Sequence, residues 1–226
     1  MSEKIVILGA SRGLGRALAE NLVQKGHNLL LISRNQSKLS EIQSVAKTQV
    51  KIETGDFSKD EEAKRLLPIL QNFGPEKIFY VAGGGPYGKF HEKEWKDHSW
   101  AYRVNFGFPA RLLHFLLQNK KDFPELRQMI FVGSSVAESN PDPMASAYSA
   151  AKHALLGLIR SVRKESALLD LRIFSPGYMD TDLLPPNAWP RQKGLAENPA
   201  LIAEKLYQWT LQDDANGHLV FESPNH

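Results

Sequence analysis

Residues 145–157 read ASAYSAAKHALLG, and Tyr148 and Lys152 are the only phenol and amine among alanines, serines and leucines. They lie four residues apart, which on a helix puts both on one face with their head groups in reach of a shared site. A phenol with a pKa near 10 is a poor acid or base at neutral pH, and a neighbouring ammonium lowers that pKa by favouring the phenolate. Every tenfold change in that acid–base equilibrium corresponds to about 1.4 kcal/mol. A Tyr-x-x-x-Lys pair is common by chance and usually structural, so its meaning depends on companions.

Two companions stand upstream. The stretch QMIFVGSSVAES is an apolar run that reads as a buried strand ending in Ser134 and Ser135, and ligands sit at the C-terminal ends of strands in doubly wound sheets. Asn105, in AYRVNFGFPARLL, is a lone amide at the start of an apolar helical stretch.

A third feature lies near the N-terminus. The first apolar run ends in GASRGLG, so Gly9, Ser11, Arg12, Gly13, Leu14 and Gly15 form a strand-to-helix turn with GxxxGxG spacing. Glycines there permit a tight turn and let a pyrophosphate approach backbone N–H groups at the positive end of the helix. An acidic residue at the end of the second strand would grip a ribose 2′-hydroxyl, yet LLLISRNQSK places Ser33 and Arg34 there. A 2′-phosphate would be repelled by a carboxylate and bound bidentately by guanidinium groups. Arg34 and Arg12, each alone a plain surface charge, together favour NADP(H) over NAD. Asp56 and Phe57 follow the third strand in ETGDFSKD. Asp56 could accept from an adenine amino group, with Phe57 offering its backbone; equally, Asp56 or Ser58 could cap the next helix.

These residues need a frame to converge. Short apolar runs (KIVILG, NLLLIS, VKIE, KIFYVAG, MIFVGS, LRIFSPG, HLVFE) alternate with segments of helical spacing at 13–26, 35–47, 59–73, 103–119, 146–168 and 198–212. Several runs are apolar on both pleat faces, as in strands covered by helices on both sides. The pattern predicts an α/β fold, a doubly wound parallel β-sheet of about seven strands (Rossmann fold). Gly26, Gly74-Pro75 and Ser175-Pro176-Gly177 punctuate it, and 183–199, with four prolines, reads as an irregular loop or short lid. No linker or repeat divides the chain, so residues 1–226 are expected to form a single dinucleotide-binding and catalytic domain.

Composition narrows the classes. The 226 residues carry no cysteine, which excludes disulfides, thiolate metal sites and a cysteine nucleophile; no metal site is expected. With 28 basic against 25 acidic residues and no long basic run, nucleic acid is not an expected partner. No apolar segment approaches a membrane-spanning length, and the N-terminus lacks a signal-peptide core. The expectation is a cytoplasmic protein with no membrane partner.

Taken in order, GxxxGxG, Asn105, the serine pair, YxxxK and a later PGYMDT resemble the short-chain dehydrogenase/reductase family across essentially the whole chain. The resemblance implies roles. Ser135, thirteen residues before Tyr148, matches the family's catalytic serine, with its neighbour Ser134 the less favoured choice. Tyr148 would be general acid in reduction and base in oxidation. Lys152 would bond the nicotinamide ribose and depress the Tyr148 pKa, and Asn105 would hold a water linking Lys152 to solvent. Pro176, Gly177 and Thr181 would lie beside the nicotinamide and phosphates.

One departure stands out. Where the family commonly has Asn-Asn-Ala-Gly after the fourth strand, this chain has Tyr80, Val81, Ala82 and Gly83; Ala82 and Gly83 keep the small residues that let the cofactor pass.

The implied activity is hydride transfer between NADP(H) and a small-molecule carbonyl or alcohol substrate. The alternative is a non-catalytic NADP(H)-binding sensor or regulatory protein, to which the altered turn lends some support. A sugar-nucleotide epimerase or dehydratase would need an added substrate domain for which the chain lacks room. A pocket rim of Tyr87, Phe90, Trp95, Val136, Met144, Tyr178, Leu184 and Trp189 is expected, which fits an apolar or aromatic carbonyl compound. The helices at 105–119 and 146–168 are apolar over much of their circumference, pointing to a homodimer or homotetramer unless loops of the same chain cover them.

Overall fold

The structure, a computed structural model, describes residues 2–138, 141–165, 167–213 and 216–221. Seven strands form one sheet: β1 (Lys4–Leu8), β2 (Asn28–Ser33), β3 (Val50–Thr54), β4 (Lys77–Tyr80), β5 (Gln128–Val132), β6 (Asp170–Pro176) and β7 (His218–Phe221). Their order is β3-β2-β1-β4-β5-β6-β7 and every neighbouring pair is parallel. The expected doubly wound Rossmann architecture is therefore what forms.

Two apolar layers explain why the strands are hydrophobic on both faces. Residues Val6, Leu30, Ile78 and Met129 point to one face, under α3 (Glu62–Phe73), α5 (Phe108–Gln118) and α6 (Ser146–Glu165). Their neighbours Ile5, Leu29, Phe79 and Ile130 point to the other, under α1 (Gly13–Gln24), α2 (Gln36–Val45) and α8 (Pro199–Thr210). Because successive side chains in a strand alternate faces, a strand sandwiched this way must be apolar throughout.

The predicted helices form close to their expected bounds, with one difference. The segment read as one helix over 103–119 is preceded by α4 (Trp95–Tyr102) and joined to α5 by a π-turn over Arg103–Gly107. A π-turn inserts an extra residue into the hydrogen-bond ladder and is frequent at functional sites; it carries Asn105. The proline-rich stretch holds only a four-residue helix, α7 (Trp189–Gln192).

The apolar side chains of α5 and α6 are largely used within the chain: Phe108, Leu112, Leu113, Leu116, Leu155 and Ile159 are buried. The exposed positions of α6 are Ala150, His153, Ala154, Gly157, Arg160, Ser161, Lys164 and Glu165. No helix among the described residues is long and apolar enough to cross a membrane.

Between β1 and β4 the chain reverses its direction of travel across the sheet. Such a switch point opens a crevice at the C-terminal strand ends.

Candidate active site

A cavity of about 440 Å³ lies at that crevice. The glycine turn forms one wall. Gly9 has φ +104°, and a Cβ there would stand 2.5 Å from the Ala82 backbone nitrogen. A Cβ on Gly15 would fall 2.1 Å from the Gly9 carbonyl oxygen. Neither position admits a side chain, so the glycines are needed for the turn to fold against β4. Helix α1 starts at Gly13 with Arg12 as its N-cap, no side-chain cap and no acidic residue in the first turn. Its leading N–H groups are thus free for an anion. Ser11, Arg12, Leu14, Ala82 and Gly83 also border the cavity, as do Pro176, Gly177 and Thr181 on the far side.

Part of the cavity is rich in cations. Ser33 and Arg34 border it, and Arg34 lies 5.5 Å over the Trp100 ring. Lys38, in the first turn of α2, borders it too and was not singled out from the sequence. A cation at a helix N-terminus opposes the helix dipole; that misfit is the signal that could have marked it. Asp56 and Phe57 border it as well. Asp56 Oδ1 accepts from the Ser58 N–H (3.1 Å) and hydroxyl (2.7 Å), a local turn rather than a helix cap, since α3 begins only at Glu62. Burial raises the Asp56 pKa, but the Ser58 hydrogen bonds and the Arg34 charge outweigh it and leave the carboxyl below its ordinary value.

Tyr148 and Lys152 stand one turn apart on α6, and both border the cavity. Lys152 Nζ sits 5.5 Å from the Tyr148 ring centroid and donates to the Val132 carbonyl at 2.7 Å. Its side chain is buried, and burial depresses its pKa to about 7. Burial raises the Tyr148 pKa, opposed by a hydrogen bond with Ser134.

Of the two serines, Ser134 borders the cavity and the favoured Ser135 does not. Ser134 continues β5 in extended conformation (φ −168°, ψ 147°) and borders the cavity. Ser135 begins a 3-10 turn over Ser135–Ala137 and does not border it. Extended residues alternate faces, so where the strand gives way to the turn decides which hydroxyl reaches the phenol.

Asn105 is fully buried and does not itself border the cavity. Its Nδ2 donates to Ala101 O (2.7 Å) and Gly84 O (2.6 Å), and its Oδ1 accepts from the Gly84 N–H (3.2 Å). Both amide hydrogens are spent on backbone, tying α4 to the loop after β4. The Tyr80 that departs from the family turn does related work. Its buried hydroxyl donates to the Val104 carbonyl in the π-turn at 2.5 Å, and its ring stacks on Phe108 at 5.7 Å. A lengthened ladder leaves a carbonyl in need of a donor, and Tyr80 supplies it.

The predicted rim is corrected in part. Tyr87, Val136, Tyr178 and Leu184 border the cavity, joined by Trp100, Asp142 and Leu183. Phe90, Trp95, Met144 and Trp189 do not. Phe90 and Trp95 pack on His98, and Trp189 meets the Tyr178 ring edge-on at 5.5 Å.

Known proteins resemble this chain in sequence and in fold. The family profile described as short chain dehydrogenase matches residues 3–190. The chain belongs to the short-chain dehydrogenase/reductase family. Among curated relatives, this member is 28% identical over 242 aligned residues to a PIGF/3-ketodihydrosphingosine reductase fusion protein of Schizosaccharomyces pombe, covering 96% of this chain and 48% of that one. It is 29% identical over 195 residues to the inactive hydroxysteroid dehydrogenase-like protein 1 of Pongo abelii, covering 81% of this chain and 58% of that one. The chain thus spans about half the length of these relatives. Among solved structures, an alcohol dehydrogenase of Thermococcus sibiricus complexed with 5-hydroxy-NADP superposes with a TM-score of 0.86 at 24% identity, covering 100% of this chain and 98% of that one. At that identity the likeness speaks for the fold. The family is one of oxidoreductases that bind a nicotinamide cofactor and act on small molecules.

Proposed function

We propose that this oxidoreductase transfers hydride between NADP(H) and a carbonyl or alcohol compound, with residues 1–226 acting as one domain. The observation that carries the reading is one cavity bordered by Tyr148 with the buried Lys152 and Ser134, and by the cations Arg12, Arg34 and Lys38.

The residues suit the cofactor. The glycine turn admits no Cβ, and the uncapped N-terminus of α1 is free for a pyrophosphate. Three cations without a competing carboxylate at the end of β2 favour a 2′-phosphate. When bound, the cofactor supplies the hydride that reduces the carbonyl carbon.

The chain's own groups do the rest. Charge develops on the substrate oxygen as the carbonyl is reduced, and the hydroxyls of Ser134 and Tyr148 stabilise it there. Tyr148 then passes its phenolic proton to that oxygen. Lys152, 5.5 Å from the Tyr148 ring, favours the phenolate whenever it carries its charge, against the burial that raises the Tyr148 pKa. Asn105 and Tyr80 hold the π-turn and the Gly83–Gly84 segment in place. The non-catalytic sensor reading loses its support from the altered turn, because Tyr80 braces the π-turn. Tyr87, Tyr178 and Leu184 suit an apolar or aromatic substrate, and the exposed small residues of α6 suit a homo-oligomer contact.

A direct test measures NADPH and NADH affinity by fluorescence, then turnover of 4-nitrobenzaldehyde, acetophenone and cyclohexanone by the wild-type protein. NADPH should bind more tightly and at least one carbonyl should be reduced. Equal binding sinks the cofactor assignment, and cofactor binding with no turnover across a broad carbonyl panel favours the sensor.

A further inference from the structure

The segment that carries Ser134 is held from behind by a cluster that the chemistry above does not use. Glu138 follows the 3-10 turn, and its N–H closes on the Ser135 carbonyl at 2.9 Å. Its largely buried side chain does not border the cavity. Instead, Oε1 accepts from the Ser175 hydroxyl of β6 at 2.8 Å and lies 2.8 Å from His218 Nε2 of β7. Arg160 of α6 stands 3.7 Å from Glu138 Oε2 and 3.2 Å from His218 Nδ1. Guanidinium only donates, so Nδ1 is the acceptor and Nε2 carries the hydrogen that Glu138 takes. One neutral histidine tautomer satisfies the whole chain of contacts.

Strand β6 also holds the other end of the segment. The Gly133 N–H donates to the Phe174 carbonyl at 2.7 Å, and a Cβ on Gly133 would fall 2.4 Å from Ser175 Oγ. Residues 133–138 are therefore fastened to β6 at both ends, with Ser134 between them.

We propose that Glu138 is a positioning residue for Ser134: the Ser175–Glu138–His218 cluster fixes the Gly133–Glu138 segment so that the Ser134 hydroxyl stays on Tyr148. The proposal rests on the reading that Ser134 and Tyr148 share the substrate oxygen. A short 3-10 turn has few backbone bonds and poor geometry to hold itself. A buried carboxylate is weak as a source of stability, so its contribution here lies in geometry. Hydroxyl placement matters for rate because small displacements of a reacting group slow a reaction steeply.

The test is a double-mutant cycle of Ser134→Ala and Glu138→Ala with NADPH and the fastest probe of the carbonyl panel, together with hydrogen exchange of residues 133–138 in the cofactor-free protein. Glu138→Ala should slow kcat by roughly tenfold, leave the NADPH dissociation constant within about twofold and speed exchange in the segment. Glu138→Gln should keep wild-type kcat and exchange, since its amide oxygen still accepts from Ser175 and His218. In the Ser134→Ala background, Glu138→Ala should cost nothing further. The same fold loss in both backgrounds, or unchanged exchange, overturns the positioning role. Wild-type turnover by Ser134→Ala overturns the serine reading itself, and the inference with it. Should Glu138→Ala not fold, Ser175→Ala, which removes one of the two bonds, takes its place in the cycle with the same expectations.

Discussion

Lys152 makes the site's electrostatics measurable without any substrate. The side chain is buried with one carbonyl partner, and burial lowers its pKa from 10.5 to about 7. In the unfolded chain the amine stays protonated up to its ordinary pKa, whereas in the folded protein it is neutral above about 7. Between those two values the unfolded state binds one more proton, so folding stability rises with pH at up to about 1.4 kcal/mol for each tenfold fall in proton concentration. Over pH 7 to 9 the gain attributable to Lys152 is at most about 3 kcal/mol. It is absent below pH 7, where both states are charged. Lys77 is also pushed down by burial and contributes a slope of the same sign, so the comparison must be with Lys152→Met. The assay is urea unfolding of cofactor-free wild type and variant at pH 6, 7, 8 and 9. The difference in stability should turn towards the wild type as pH rises. A parallel pair of curves refutes the claim that Lys152 is buried and uncharged at high pH.

Three further outcomes follow from particular contacts. Ser134→Ala should reduce kcat by roughly 10²-fold, while Ser135→Ala should stay within a few-fold; the opposite ranking would restore Ser135 as the serine beside Tyr148. Arg34→Ala combined with Lys38→Ala should weaken NADPH by roughly 10- to 100-fold, as expected for losing charge-assisted hydrogen bonds, and leave NADH nearly unchanged in the same titration. Tyr80→Phe keeps the ring stack but strands the Val104 carbonyl, and should lower stability in urea by about 1–2 kcal/mol; no change would mean that carbonyl needs no donor.

Much of the fold could be read from the sequence because strands covered on both sides must be apolar on both faces, as in KIVIL and NLLLIS. The glycine turn was equally legible, since Gly9 lies against Ala82 and Gly15 against the Gly9 carbonyl too closely for any side chain. What escaped notice depended on small shifts of backbone. The apolar spacing runs unbroken through Arg103–Gly107, so nothing in it marks a π-turn. The choice between Ser134 and Ser135 hangs on the residue at which strand becomes 3-10 turn, a boundary that periodicity does not locate. Lys38 reads as an ordinary surface cation until α2 turns it towards the cavity. Tyr80 looked like a loss because its replacement partner, a backbone carbonyl, has no signature in the sequence.

The central claim is that Tyr148 delivers a proton to a carbonyl oxygen. Tyr148→Phe removes only the hydroxyl and leaves the ring, so NADPH affinity should stay within about threefold while carbonyl reduction falls by roughly 10²- to 10⁴-fold. Turnover by the phenylalanine variant at the wild-type rate, with NADPH bound normally, would contradict it.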